Sequence, residues 1–118
     1  MRFDLPFPPS TNHLYTEYRG RKIISREGRA YKKLVALSLM AQGAKSIPES
    51  PRLHVTYTFH HWQRKYGYDV GNFEKALTDA MVEAGLFSDD RQIDAMHLIR
   101  GDVVKPRGNV EVEISVIA

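Results

Sequence analysis

The sequence has no cysteine among its 118 residues, which excludes a disulfide scaffold, a thiolate zinc site and a cysteine nucleophile. It has no apolar run of membrane-spanning length, and its start, Met1-Arg2-Phe3-Asp4, lacks the apolar centre of a signal peptide. These absences predict a soluble, cytoplasmic protein with no membrane partner. The length predicts a single domain over 1–118, and a core this modest is often completed by dimerisation.

Charge is divided unevenly along the chain, whose net charge is +3. Residues 1–50 hold nine Lys and Arg against four Asp and Glu, whereas residues 51–118 hold eight against ten. One interpretation is a cationic surface that attracts phosphate beside an anionic pocket that holds metal. On charge alone, solvated faces of opposite sign are the simpler interpretation.

The apolar periodicity predicts an α+β fold in the order β, α, β, α, β, β, with two helices packed on one face of a small mixed sheet. The predicted strands are 2–5, 53–59, 93–104 and 110–116, and the predicted helices are 26–42, capped by Ser25, and 70–84. The turn residues Pro106-Arg107-Gly108-Asn109 favour an antiparallel hairpin of the last two strands.

A basic stretch with interleaved aromatic residues surrounds a predicted turn at Arg19-Gly20. Its members are Tyr15, Tyr18, Arg19, Arg21 and Lys22. Such a segment can follow phosphates and stack on bases. It can equally be a hairpin whose tyrosines pack inward, and the residues alone leave both interpretations open.

The second predicted helix carries polar groups that could perform chemistry. Asp69 stands before it, Lys75 lies on one face with Asn72 and Asp79, and Asp90 follows it. Mg²⁺ prefers oxygen ligands and uses one or two carboxylates, and metal-assisted phosphodiester cleavage needs an activated water. Asp69 and Asp90 could hold the ion, and Lys75 could stabilise the transition state.

Structural roles explain the same residues and are favoured by the spacing alone. Asp69 can cap the helix, Lys75 can pair with Asp79, and Asp89-Asp90 can form a turn. The helix is about 20 Å long, so Asp90 approaches Asp69 only if the chain turns back or if a second subunit supplies Asp69.

Adjacent histidines, His60 and His61, stand at the end of the second long strand and should point to opposite sides. They are therefore poorly placed to bind one metal. Either could serve as a general base, for example in a small RNA-acting protein, although a surface role is more common for such residues.

Several motifs together resemble the RusA family of Holliday junction resolvases. They cover nearly the whole chain: Pro6-Phe7-Pro8-Pro9-Ser10 with Asn12; Ser25-Arg26-Glu27-Gly28-Arg29-Ala30-Tyr31; Asp69-x-x-Asn72-x-x-Lys75 with Asp79-Ala80; and Ala84-Gly85-Leu86-Phe87-x-Asp89-Asp90-x-Gln92. The resemblance implies an α+β homodimer that nicks paired strands of four-way DNA junctions with Mg²⁺, for which Mn²⁺ can substitute.

The resemblance also implies the site residues. Asp69, Lys75 and Asp90 match the family's catalytic positions, with Asp69 and Asp90 as metal ligands, whereas Gly71 stands where the pattern expects a metal-binding aspartate. The expected DNA-binding residues are Asn12, Arg19, Arg21, Lys22, Arg64, Lys65 and Asn72. Arg64 and Lys65 are what remains of a basic run that the family tends to have there.

Gly71 admits three interpretations: a deliberate replacement, natural loss of activity with retained junction binding, or substitution by another oxygen from Asn72, Asp79, Asp89 or water. We expect weakened Mg²⁺ binding and cleavage with DNA binding largely kept. The alternative function is a non-catalytic, structure-selective DNA-binding dimer. The apolar strand 110–116 and the proline-rich start are candidates for the dimer interface.

Overall fold

The computed structural model describes residues 1–63 and 68–117, and it has the expected α+β class. The strands are β1 (Arg2–Leu5), β2 (Tyr15–Tyr18), β3 (Arg21–Ile24), β4 (Arg52–His60), β5 (Ile93–Arg100) and β6 (Asn109–Ile117). The helices are α1 (Thr11–Leu14), α2 (Arg26–Ala41) and α3 (Gly71–Glu83), with a short 3₁₀ turn at Asp90–Gln92. The one-turn helix α1 and the strands β2 and β3 add to the predicted elements.

Strands β1, β4, β5 and β6 form one mixed sheet in the order β1-β6-β4-β5. β4 is parallel to β5 and antiparallel to β6, and β1 is antiparallel to β6. The strands β4 and β6 therefore occupy the centre, which agrees with their strictly alternating apolar residues. The prediction of a mixed sheet is confirmed.

The expected hairpin of the last two strands is wrong in its pairing. β5 and β6 do run in opposite directions, but β4 lies between them and pairs with both. The physical reason lies in the connection β4–α3–β5. A strand, helix and strand in succession return the chain to a parallel neighbour, which leaves the other edge of β4 for β6.

Both long helices pack on the same face of the sheet. Alternate β4 residues share one face, and these residues (Leu53, Val55, Tyr57 and Phe59) are fully buried in one cluster with α2 and α3. The cluster includes Tyr31, Val35 and Leu39 of α2 and Leu77, Ala80 and Met81 of α3. Leu34 of α2 is exposed, because the face of the helix that meets the sheet is narrower than the helix's apolar content.

The predicted cap of the first long helix is confirmed. The Ser25 hydroxyl accepts a hydrogen bond from Gly28 N at 3.0 Å and caps α2. Gly43 and Gly85, which follow α2 and α3, have φ values of 69° and 82°. These positive angles are the left-handed conformation that ends helices and that glycine adopts without strain.

Strands β2 and β3 form a separate two-stranded ribbon that turns at Arg19-Gly20. None of the core cluster belongs to this ribbon. Its base lies close to α2, since a Cβ atom at Gly28 would stand only 2.8 Å from Ile24 Cγ1 and 2.9 Å from Leu14 O. The absence of a side chain at Gly28 therefore lets the ribbon meet the first turn of the helix.

The apolar strand 110–116 does not serve as a free dimer surface. Val110, Val112 and Ile114 are buried inside the sheet, and Val116 is the apolar residue of this strand that remains exposed. Across residues 1–63 and 68–117, none of the helices has the length and apolar character needed to cross a bilayer.

Candidate active site

Asp69 lies just before α3 and holds its first turn. Its Oδ1 accepts a hydrogen bond from Gly71 N at 2.9 Å, and its carbonyl accepts one from Asn72 N at 3.0 Å. The expected capping role is wrong in its position, because the N-cap of α3 is Val70, which forms no side-chain cap, and the helix begins at Gly71 rather than at residue 70. Asp69 instead holds the turn that leads into the helix, and its side chain stays exposed to solvent.

Gly71 lies directly beside that carboxylate. A Cβ atom there would stand 3.2 Å from Asp69 Oδ1, 3.7 Å from Cγ and 3.8 Å from Oδ2. A side chain at this position would thus be in tight contact with the Asp69 carboxylate, which would have to shift slightly. Two neighbouring carboxylates so placed could share a cation, which is what an aspartate at position 71 would provide.

Lys75 lies one helical turn from Asp79, and their charged groups are 3.5 Å apart. The negative charge of Asp79, followed by the nearby Tyr15, raises the pKa of Lys75. The ammonium group is half exposed and is firmly protonated at neutral pH. Pairing with Asp79 was one of the two roles predicted for Lys75, and it leaves the group available to a phosphate.

The loop after α3 is fixed by Gln92, which is buried. Gln92 Nε2 donates to Pro48 O at 2.9 Å and to Pro51 O at 3.1 Å, and its Oε1 accepts from Ser88 N at 3.0 Å. These bonds position the two aspartates between Ser88 and Gln92. The sequence motif contained Gln92, but its spacing gave no signal of this supporting role.

Asp89 and Asp90 have different surroundings. Asp89 caps the 3₁₀ turn by accepting from Arg91 N at 2.9 Å, and it pairs with the Arg91 guanidinium at the same distance. The hydrogen bonds with Arg91 lower the pKa of Asp89. The hydrogen bond with Asp89 and partial desolvation raise the pKa of Asp90, and the charges of Asp89 and Asp79 raise it further.

The 3₁₀ turn Asp90–Gln92 contacts α3, so the chain turns back along the helix. The charges of Asp79 and Lys75 both act on the Asp90 carboxyl, and Tyr15 is a further neighbour of Lys75. Tyr15 as a neighbour of Lys75 was missed, because the two residues are 60 positions apart in the sequence.

Asp69 is not among the charges that act on Asp90. Within the part of the chain that the structure describes, no three His, Asp or Glu side chains are grouped so that they could hold one metal ion. Asp79 and Asp90 thus form an acidic pair beside Lys75, and Asp69 is a separate carboxylate at the start of α3. Mg²⁺ needs only one or two protein carboxylates when phosphate and water complete its shell.

The expected DNA-binding residues lie on two neighbouring surfaces. Asn12 is on α1, which is joined to the start of α3 by a hydrogen bond of 2.9 Å from Thr11 Oγ1 to Asn72 O. Both Asn12 and Asn72 are exposed. Arg64 and Lys65 lie outside the described residues.

The β2–β3 ribbon carries the remaining expected cations, Arg19, Arg21 and Lys22, and all three are exposed. Arg19 lies over the Tyr18 ring at 5.3 Å, and Lys22 lies over the Tyr15 ring at 4.8 Å. Tyr18 is well exposed, so the alternative in which the tyrosines pack inward does not hold for it. Because Tyr15 touches both Lys22 and Lys75, the ribbon adjoins the acidic pair.

Comparison with known proteins shows the family of the chain. The family model described as Endodeoxyribonuclease RusA matches residues 6–115. The chain belongs to the RusA family. It is 32% identical to the crossover junction endodeoxyribonuclease RusA of Escherichia coli K12 and 33% identical to that of Enterobacteria phage 82, in each case over 94% of this chain and 90% of the relative. The Shigella sonnei protein of the same name is 32% identical over the same shares.

The RusA match spans every candidate residue, from Asn12 to Asp90. The two histidines have structural partners instead. His61 is buried, whereas His60 Nδ1 contacts Asp102 O at 2.7 Å and its Nε2 lies 3.3 Å from Glu111 Oε1.

Proposed function

We propose that this chain is a Holliday junction resolvase, a crossover junction endodeoxyribonuclease that nicks paired strands of four-way DNA junctions. The observation that carries the proposal is its similarity, over 94% of the chain, to proteins of that name. The exposed cations of the β2–β3 ribbon support it, since phosphate contacts dominate the affinity of proteins for DNA.

The residues beside the ribbon have the chemistry that strand cleavage requires. In this proposal Asp69 and Asp90 hold Mg²⁺, for which Mn²⁺ can substitute. A bound divalent ion supplies an activated water and stabilises the leaving oxygen. Lys75, kept protonated by Asp79, faces the negative charge that develops on the phosphate.

DNA recognition is assigned to the two surfaces around this site. Asn12 and Asn72 would contact the strand at the start of α3, and Arg19, Arg21 and Lys22 would neutralise phosphates along the ribbon. Arg64 and Lys65 belong to the same proposal. A homodimer fits it as well, because a four-way junction needs two cuts in paired strands and a second subunit supplies the second site.

A second candidate is a DNA-binding dimer of the same fold that does not cleave. Gly71 favours it, because the aspartate that the family pattern expects there is missing directly beside Asp69. This candidate predicts structure-selective binding that persists in a chelator and no nicking with any divalent metal.

A nicking assay separates the two candidates. Labelled four-way junction, linear duplex and RNA are incubated with the protein in Mg²⁺, Mn²⁺ or EDTA, and binding is measured in EDTA by fluorescence anisotropy. A resolvase nicks the junction with metal, and Asp90→Asn lowers the rate by about 100-fold or more while the affinity for the junction is kept. Glu83→Gln, an exposed acid at the far end of α3, is the matched control and should cleave normally.

Each outcome decides between the candidates. Junction binding without nicking in either metal supports the non-catalytic dimer. Equal binding of junction and duplex contradicts both candidates. Cleavage of RNA alone would support an RNA-acting protein in which His60 or His61 is the general base.

A further inference from the structure

Trp62 is the single tryptophan of the chain, and it follows directly after β4. Its side chain is 37% exposed although it is the largest apolar side chain available for the core. One exposed aromatic residue needs no special explanation. The surroundings of this one, however, hold its ring in a fixed orientation near the candidate active site.

The ring of Trp62 is stacked on the ring of His61, with centroids 4.0 Å apart and planes 22° apart. Phe7 meets it edge-on at 5.4 Å and 88°. Phe7 in turn makes edge contacts with Phe59, which is fully buried, at 6.1 Å, and with Phe73 at 4.9 Å. The indole is therefore anchored to the core through a set of ring contacts.

His61 itself is held by the backbone around it. Its Nδ1 accepts a hydrogen bond from Gln63 N at 3.0 Å, and its carbonyl accepts one from Val104 N at 3.0 Å. A stack whose lower ring is buried and hydrogen-bonded loses little conformational entropy when a third ring is added. The Trp62–His61 stack is thus a preorganised platform.

The platform continues toward Asp69. His61 contacts the ring of Tyr68 at 5.2 Å, and Tyr68 directly precedes Asp69 in the chain. Tyr68 also contacts Phe73, in the first turn of α3, at 5.8 Å. Trp62 therefore lies two aromatic contacts away from Tyr68, the residue before the candidate metal ligand.

Cations border the same platform. The segment between β5 and β6 packs against the backbone of 60–62, since Val104 bonds His61 and a Cβ atom at Gly108 would stand 3.2 Å from Trp62 N. This segment exposes Lys105 and Arg107. On the other side, the Arg100 guanidinium lies 4.4 Å from the centre of the Tyr68 ring.

Exposed aromatic rings bordered by cations are how proteins bind single-stranded nucleic acid, with bases on the rings and phosphates on the cations. We propose that Trp62 is a stacking site for an unpaired nucleobase at the branch point of a DNA junction. This inference rests on the proposed function. The stacking site would add a contact with a base to the proposed function, made by a residue outside the candidate catalytic set. A duplex with all its bases paired offers no free ring face for such a contact.

The test uses the fluorescence of Trp62, which reports on this residue alone because the chain has no other tryptophan. The unaltered protein is titrated in EDTA with two four-way junctions, one normal and one with abasic sites at the nucleotides that flank the branch point. We expect the normal junction to quench the emission and the abasic junction to leave it nearly unchanged. Anisotropy of a dye on the DNA measures the affinity in the same solutions.

The affinities of two Trp62 variants are then compared on the same two junctions. Trp62→Leu keeps apolar packing but has no ring, and it should weaken binding of the normal junction roughly 5- to 150-fold, the range for loss of one stacked base. Trp62→Phe keeps a ring face and should lose only a few-fold. With the abasic junction, Trp62→Leu should have no further effect, because the stacking partner is already absent.

The outcomes distinguish this inference from the proposed function. Tight junction binding without quenching, or an equal loss by Trp62→Leu on both junctions, overturns the stacking site and leaves the resolvase proposal standing. Absence of selective junction binding, with quenching by single-stranded oligonucleotides, contradicts the resolvase proposal and retains a base-stacking site. If Trp62→Leu does not fold, the quenching of the unaltered protein and the affinity of Trp62→Phe still decide.

Discussion

Oδ1 of Asp69 stands 3.2 Å from the point that a Cβ atom of residue 71 would occupy, and Gly71 leaves that point empty. Its backbone does not have the positive φ angle for which glycine is favoured. The conformation of the chain therefore does not require glycine here. What the glycine changes is the charge beside Asp69 and the number of oxygen ligands at the start of α3.

Gly71→Asp should increase metal-dependent cleavage of a four-way junction by about tenfold or more, because it adds a carboxylate beside Asp69. The Mg²⁺ concentration for half-maximal cleavage should fall in parallel. Single-turnover nicking across a Mg²⁺ titration measures both quantities. Gly71→Ala supplies the same Cβ without the charge and should give no gain; unchanged cleavage by Gly71→Asp would contradict the assignment of this position.

Ser25→Ala removes the side-chain cap of α2, which accepts from Gly28 N, and also a bond of 2.6 Å to His13 O. The loss should lower the free energy of unfolding by about 1 kcal/mol and the melting temperature by about 4 °C. Thermal unfolding followed by circular dichroism measures this change. Ser10→Ala, at the start of α1 where no side-chain cap is formed, should cost less.

Thr78 bridges two polar groups in the core. The Tyr57 hydroxyl donates to Thr78 Oγ1 at 2.9 Å, and Thr78 donates to Glu74 Oε2 at 2.6 Å. Thr78→Val keeps the shape but leaves the buried Tyr57 hydroxyl without its acceptor, so it should destabilise the fold by about 1–3 kcal/mol. Urea unfolding should show a smaller loss when Thr78→Val is made in a Tyr57→Phe background; equal losses would mean that the two hydroxyls are not coupled.

Asp94 of β5 pairs with Arg52 of β4 at an exposed site, and the hydrogen bond from Arg52 lowers the pKa of Asp94. A carboxyl with a lowered folded-state pKa stabilises the fold above its unfolded-state pKa, and this contribution is lost as the pH falls through the folded-state value. Arg52→Gln should move the pKa of Asp94 up toward the usual aspartate value. Carboxyl NMR titration measures it, and Arg2→Gln, which breaks a different pair with Glu111, should leave Asp94 unchanged.

Local features of the fold could be predicted from the sequence because each is decided by nearby residues. The apolar alternation in β4 predicted a strand with one buried face, and Ser25 marked the start of α2 through a hydrogen bond to a residue three positions away. Strand pairing was different. The turn residues before β6 are genuine, yet β6 pairs with β4 and β1, both far earlier in the chain, and not with β5.

The candidate site likewise combines local contacts, which the sequence predicts, with tertiary contacts, which it does not. Residues within one turn of α3, such as Lys75 and Asp79, were expected to meet and do so. The approach of Asp90 to them depends on the loop that Gln92 holds, and the approach of Tyr15 depends on where the ribbon packs. Neither tertiary contact produces a periodic pattern in the sequence. The spacing therefore left alternatives open for Asp90 and gave no indication of the contact with Tyr15.

The β2–β3 ribbon contributes no residue to the buried cluster, and its cations point into solvent. A change of length or charge in the ribbon therefore carries little risk of unfolding the sheet and helices. Natural variation can adjust how strongly, and at what salt concentration, such a protein holds DNA without any compensating change in its interior. Affinity for the substrate and stability of the fold are thus largely separate in this chain, and they are linked where Gly28 brings the ribbon against α2 and where Tyr15 meets Lys75.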